Sequence, residues 1–285
     1  MNVDVRTGLR ALVSILIALT VVLIVSPYSV SHRPAQRTEG FLPPSWYQSA
    51  PDRASYPLGT DYLGRPFVPV LCLAVSSTMR IALLGTVAVV LGCVAVGVVQ
   101  GSARSRGLEA LVAAGSLGVM AVPEAAVLIA LASAWPRTAP PLYVNSCMAS
   151  VLVAFAIPAG ARLIAERVRA VGQSGFVAAS RAYGASPLYI FRHDVWPHLV
   201  EDLAWIAATV MPRFVAVEVG LAYLGVEYRE FEGLGRTLTK SFNNLSVGTA
   251  VFQMLVTIAV VLWVAMLPQI ALRLLGVRAL REAIT

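Results

Sequence analysis

Blocks of about twenty apolar residues, separated by short polar stretches rich in arginine, recur along this 285-residue chain and limit what it can fold into. A bilayer hydrocarbon core is about 30 Å thick, and an α-helix needs roughly 20 residues to cross it. Six segments meet that length: 9–27, 81–99, 108–135, 143–164, 199–224 and 247–267. In lipid only helices and closed barrels satisfy their own backbone groups, and blocks of this length suit helices. The sequence therefore predicts an all-α, polytopic membrane protein with about six transmembrane helices. Composition agrees, with 13% charged residues and a mean hydropathy of +0.74. Soluble domains carry about 25% charge, and a chain with half of that cannot wet its whole outside.

The net charge of +7 could suggest nucleic acid as a partner. The basic residues, however, lie between apolar blocks, with no basic helix or aromatic platform, so lipid is the partner and nucleic acid is excluded. Their placement instead gives an orientation. Arg6, Arg10, Arg104, Arg106, Arg162, Arg167, Arg169, Arg181, Arg192, Arg273, Arg278 and Arg281 fall at the two ends and in two intervening stretches. Those stretches are short and dense in arginine, as cytoplasmic loops are. Both termini are predicted cytoplasmic, a parity that six spans satisfy. No small-residue cleavage site follows Val25, so segment 9–27 reads as a retained anchor. Label accessibility should place Ser180 inside and Thr60 outside.

Residues 28–80 hold Pro34, Pro43, Pro44, Pro51 and Pro57 and are too polar for lipid. They read as an outer loop with a short helix near 65–76. Cys72, Cys93 and Cys147 are far apart in apolar surroundings, which favours packing over a disulfide or metal site. No phosphate loop, HExxH or GxSxG occurs, and His32, His193 and His198 form no metal-ligand pattern. The chain carries no cofactor or metal motif and nothing to make it an enzyme.

Residues 175–198 read as a helix, a turn and a second helix. Ala178, Ala179 and Ala182 give the first helix, about 176–183, a surface that a partner can approach closely. Gly184 suits the left-handed position after a helix end. Ser186 followed by Pro187 reads as an N-cap and a first-turn proline. Pro197 is expected to break the second helix before the fifth span. A helix held outside the membrane by a rigid turn suits docking into a groove.

This segment resembles the EAA loop of membrane subunits in binding-protein-dependent ABC importers. Arg181, Gly184, Ala185, Ser186, Ile190, Phe191, Arg192, His193 and Pro197 sit where the peptide-importer branch has its equivalents. The family's Glu-Ala-Ala is Ala178-Ala179-Ser180 here, without the acid. Tyr56-Pro-Leu-Gly59-Thr60-Asp61-Tyr-Leu-Gly64-Arg65 is similar to the HPLGTDxLGRD motif of the C-type permease subunit of dipeptide, oligopeptide and nickel importers. Gly59 and Gly64 would allow tight turns there, and Asp61 and Arg65 can pair or cap the following helix. Val217 to Gly225 is similar to the family's AExxLSFLG stretch.

The resemblance implies the type I (MetI-like) importer permease fold in a bacterial plasma membrane. Residues 1–80 would be an anchor plus outer loop, and 81–285 a permease core of five helices containing the cytoplasmic coupling loop 165–198. It implies a homologous permease as heterodimer partner, two cytoplasmic ATPases that bind ATP and Mg, and an extracytoplasmic substrate-binding protein. Peptides are the implied substrate, with nickel or a metal chelate as the alternative. A reading from another class is an ATP-independent secondary transporter or channel, which would call for inverted repeats and ion-site chemistry.

Glu124, Arg213 and Glu218 fall within the apolar blocks. Each costs about 2.5–3.5 kcal/mol on insertion scales if it faces lipid, so each should face protein or water. Arg213 could pair with Glu124 or Glu218 to hold helices together, or sit in a translocation path and attract a peptide carboxylate. Pro123 and Pro212 are expected kinks.

Overall fold

The computed structural model describes residues 40–44, 57–102, 106–134, 140–226, 232–245 and 247–274. The expected first span, 9–27, and Arg6, Arg10, Arg104, Arg278 and Arg281 lie outside these residues. Among the described residues the fold is helical, and the only β-type pairing is an isolated bridge between Thr60 and Pro66.

Among the described residues four helices are long and apolar enough to cross a membrane: Phe67–Ser102 (α1), Val144–Gly172, Pro187–Tyr223 and Gly248–Ile270. A fifth span results if the bent pair Ala110–Ala121 and Glu124–Ala134 counts as one. The chain is thus an all-α, multi-pass membrane protein.

Several boundaries differ from the sequence expectation. The short helix near 65–76 is not a separate element; it forms the first turns of α1. Pro69 lies in the first turn, where no intrahelical N–H bond is lost, and no glycine or proline occurs from Val70 to Leu84 to stop the helix. At about 1.5 Å per residue, 36 residues reach roughly 54 Å, well beyond the hydrocarbon core. The fourth span continues in the same way. Its helix, Pro141–Gly172 (here α4), carries Arg162, Glu166, Arg167 and Arg169 on additional turns.

Between them lie Arg106–Ala121 (α2) and Glu124–Ala134 (α3), bent by 70°. Pro123 stands at the bend, where its missing N–H removes a helical bond, and its carbonyl restarts the next helix by accepting from Ala126 and Val127. Pro212, by contrast, sits within an unbroken helix, Trp196–Tyr223.

The chain forms two compact units, one drawn from residues 1–82, 140–145 and 212–271 and the other from 83–139, 146–211 and 272–285. In the first, Phe67, Val75, Phe214, Val215, Leu234 and Val264 are buried. In the second, α1 and α4 approach to backbone contact. A Cβ on Gly97 would lie 2.7 Å from the carbonyl oxygen of Ala161, and one on Gly101 2.7 Å from that of Ala165. The spacing Gly97-x-x-x-Gly101 against Ala161-x-x-x-Ala165 is the small-residue pattern that lets membrane helices pack closely. Cys93 is fully buried beside it, its thiol directed at the Ile157 carbonyl at 3.5 Å.

Candidate functional site

The helix–turn–helix at 175–198 is present and closely capped. Its first helix, α5, spans Gly175–Ala182 and its second, α6, Pro187–Ile190. Gly184 has φ +80°. Its N–H donates to the Arg181 carbonyl at 3.0 Å, and the Ala185 N–H donates to the Ser180 carbonyl at 3.1 Å. These two bonds make the Schellman arrangement, which leaves few free carbonyls at the end of α5. The Ser186 hydroxyl then accepts the Tyr189 N–H at 3.2 Å, with Pro187 in the first turn of α6. Both ends of the turn are fixed by local bonds, so its shape does not depend on a partner.

Pro197 does not break the second helix. A π-helical turn, Phe191–Val195, joins α6 to Trp196–Tyr223 (α7), and the path from Pro187 to Tyr223 is one helical run. The wider turn moves away the carbonyl that a proline ring would otherwise strike four residues back, so Pro197 is accommodated. Phe176 stacks on His198 at 5.7 Å between centroids, and Tyr189 on His193 at 4.2 Å.

On this frame Val177 and Ile190 are buried, whereas Ala178, Ala179, Arg181, Ser186, Arg192 and Pro197 are exposed; Ser180 and Ala185 are half-buried. The segment also exposes large apolar groups, led by Tyr183 at 92% and Leu188 at 75%. Those two were not singled out from sequence, although they flank the glycine turn that was.

The stretch Gly59–Arg65 folds as a compact strap. Gly59 and Gly64 take φ +78° and +75°. Asp61 organises the turn: its Oδ1 accepts the N–H groups of Leu63 and Arg65 at 2.9 and 2.8 Å, and its Oδ2 accepts Arg65 Nε at 2.8 Å. Of the two roles open to Asp61 and Arg65, pairing is realised. Asp61 closes its own turn, not the helix that follows. Thr60 is fully buried; its hydroxyl accepts the Leu42 N–H, and its carbonyl accepts Gln253 Nε2 at 2.8 Å. Arg65 reaches on to Glu232 at 3.5 Å. Burial alone would lower the Arg65 guanidinium, but the hydrogen bond and charge of Asp61, with Glu232, raise it above its usual value. Lys240 lies 5.8 Å from the ring centre of Tyr62.

Of the charges placed in apolar blocks, Glu218 is buried, Glu124 half-buried and Arg213 exposed. Glu218 has an unforeseen partner. A nine-residue helix, Leu234–Phe242 (α8), lies between α7 and the last helix, Gly248–Leu274 (α9). The Glu218 carboxylate accepts the Gly235 N–H at 3.2 Å and the Thr78 hydroxyl at 3.3 Å, while Thr78 accepts the Leu234 N–H at 3.0 Å. A carboxylate thus meets the positive end of a helix dipole and two otherwise unbonded donors. Glu124 occupies the first turn of α3, also an N-terminal position.

No protein-family model matches the chain. It is 24% identical over 216 residues to the oligopeptide transport system permease protein OppC of Lactococcus lactis subsp. cremoris (strain SK11), covering 75% of this chain and 70% of that protein. The OppC of L. lactis subsp. lactis (strain IL1403) matches to the same extent. The motif resemblance is therefore matched by similarity along most of the chain to these OppC permease proteins of oligopeptide transport systems.

Proposed function

We propose that this chain is one permease subunit of an ATP-driven ABC importer for peptides. The similarity to two oligopeptide permeases over three quarters of its length carries this reading. The chain itself is a transport subunit, and ATP with Mg is bound and hydrolysed by separate ATPase subunits. Both termini face the cytoplasm of a bacterial plasma membrane, so that 175–198 is turned to the ATPases and Gly59–Arg65 to the outside.

The α5–turn–α6 segment is the coupling element. Its capped turn holds Tyr183 and Leu188 out in water, and burying such side chains in an ATPase groove stabilises the contact by about 1.5–3 kcal/mol each. The signature acid is not needed for that: with Ala178 in its place, apolar fit substitutes for an ion pair. Its path is completed by a homologous permease, and an extracytoplasmic binding protein delivers peptide to the outer face. ATP-driven closure moves the coupling elements and shifts the population between inward-open and outward-open states.

Affinity purification of the tagged chain should retain a homologous permease and ATPase chains. A complex lacking any ATPase, or uptake persisting with catalytically dead ATPases, sinks this reading. Mass spectrometry of the ligand held by the co-purified binding protein should find oligopeptides; a metal chelate there overturns the peptide assignment.

A further inference from the structure

One ion pair clasps the base of the coupling segment. Arg167, near the end of α4, holds Asp202, in the second turn of α7, with Nε–Oδ2 2.6 Å and Nη2–Oδ1 3.0 Å. The pair is bidentate, and Asp202 is only 8% exposed. Everything that docks lies in the 34 residues between these two positions.

The two ends of the docking segment differ mechanically. On the α7 side, helix runs unbroken from Pro187 to Tyr223, so a load on α6 passes straight into α7. On the α4 side, α4 ends at Gly172 and α5 begins at Gly175; the turn between them is closed by local bonds, Gln173 N–H to the Arg169 carbonyl at 3.2 Å and Ser174 N–H to the Val171 carbonyl at 3.0 Å, and a Cβ on either glycine would meet nothing within 4 Å. Such a joint absorbs a displacement by backbone rotation and does not pass it on. Arg167–Asp202 spans that joint. Beyond it, α4 touches α1 backbone to backbone at Ala165–Gly101 and Ala161–Gly97.

We infer that Arg167 and Asp202 are positioning residues for transport: their ion pair makes α4, and through it α1, follow α7 when the docking segment is moved. The inference rests on the proposed function, since it assigns a route for the ATPase stroke. Guanidinium and carboxylate suit the task because a bidentate fork fixes both distance and angle, which an apolar contact would not. Without the clasp, the ATPases still dock and turn over, but α7 moves without α4.

The test uses the complex co-purified with this chain, reconstituted in liposomes, with a labelled mixture of tri- to pentapeptides as the probe. Uptake per ATP hydrolysed is compared for wild type, Asp202→Asn, Arg167→Gln and the exchange R167D/D202R. Each single variant should keep its ATPases and its ATP turnover while uptake per ATP falls on the order of tenfold, within the range by which network substitutions alter coupling between sites. The exchange should restore it. ATPases retained with unchanged uptake per ATP in Asp202→Asn overturn the inference alone. A wild-type chain that retains no ATPase overturns the functional reading and the inference together. The exchange variant is also read by itself, so a single variant missing from the membrane does not remove the test. Swapped charges that leave uptake per ATP about tenfold down count against the clasp.

Discussion

The carboxylate of Glu218 and the backbone N–H of Gly235 meet at 3.2 Å, joining the end of a long apolar helix to the start of a short polar one. Glu218 is 6% exposed, and Thr78 is linked to it on the other oxygen. Glu218→Ala would leave buried donors without partners, at about 1–3 kcal/mol for each. Its melting temperature in detergent should drop clearly, and that of Glu218→Gln, which keeps an acceptor oxygen, should drop less. Equal melting temperatures for wild type and Glu218→Ala would falsify the capping role.

Gly59 and Gly184 share a left-handed backbone but not their surroundings. A Cβ on Gly59 would collide with the Leu42 carbonyl oxygen, whereas nothing lies within 4 Å of one on Gly184. Gly184→Ala should cost only the conformational strain, about 1–2 kcal/mol, and Gly184→Asn less. Gly59→Ala should be distinctly worse in a thermal-shift assay; a rank order reversed from this contradicts the packing of the strap.

Ser186→Ala removes the cap on α6, a change worth about 1 kcal/mol locally. Hydrogen exchange at the Tyr189 amide should quicken while exchange in α7 is unaltered. Capture of the ATPases should weaken, because the second docking helix then frays. Unchanged protection at Tyr189 would mean that the serine does not hold the turn.

Gly97→Leu or Gly101→Leu should separate α1 from α4 and lower the amount of chain accumulating in the membrane. Gly115→Leu, on α2 with no neighbour within 4 Å, serves as the control and should accumulate normally. Equal accumulation of all three variants speaks against a close α1–α4 contact.

Sidedness can be read with single cysteines in a chain lacking Cys72, Cys93 and Cys147. Thr60 is a poor reporter because it is fully buried; Leu63, 51% exposed on the same strap, replaces it. Tyr183, 92% exposed, reports the coupling segment. An impermeant maleimide should label Leu63→Cys in intact cells and Tyr183→Cys only after the membrane is opened. The reverse pattern overturns the orientation.

What the sequence made legible was local. Hydropathy over twenty residues marks spans because the cost of exposing polar backbone to lipid is paid within each segment. Gly184, Ser186 and Pro187 announce the turn at 184–187 because capping acts within one helical turn, and the Asp61–Arg65 pair is four residues wide. Helix ends were less legible. Phe67–Ser102 and Pro141–Gly172 both run past their apolar cores, since backbone bonding continues wherever no residue stops it.

By itself, then, the sequence determined the class of protein, the order of its apolar spans and the chemistry of its turns. The tertiary structure decided which distant residues share a function. Thr78, Glu218 and Leu234 are spread over 156 positions, and Arg167 lies 35 before Asp202, so no period or motif connects them. A buried carboxylate in an apolar run announces that it needs a partner. Only the packing of helices decides whether that partner is an arginine, a hydroxyl or the open end of another helix.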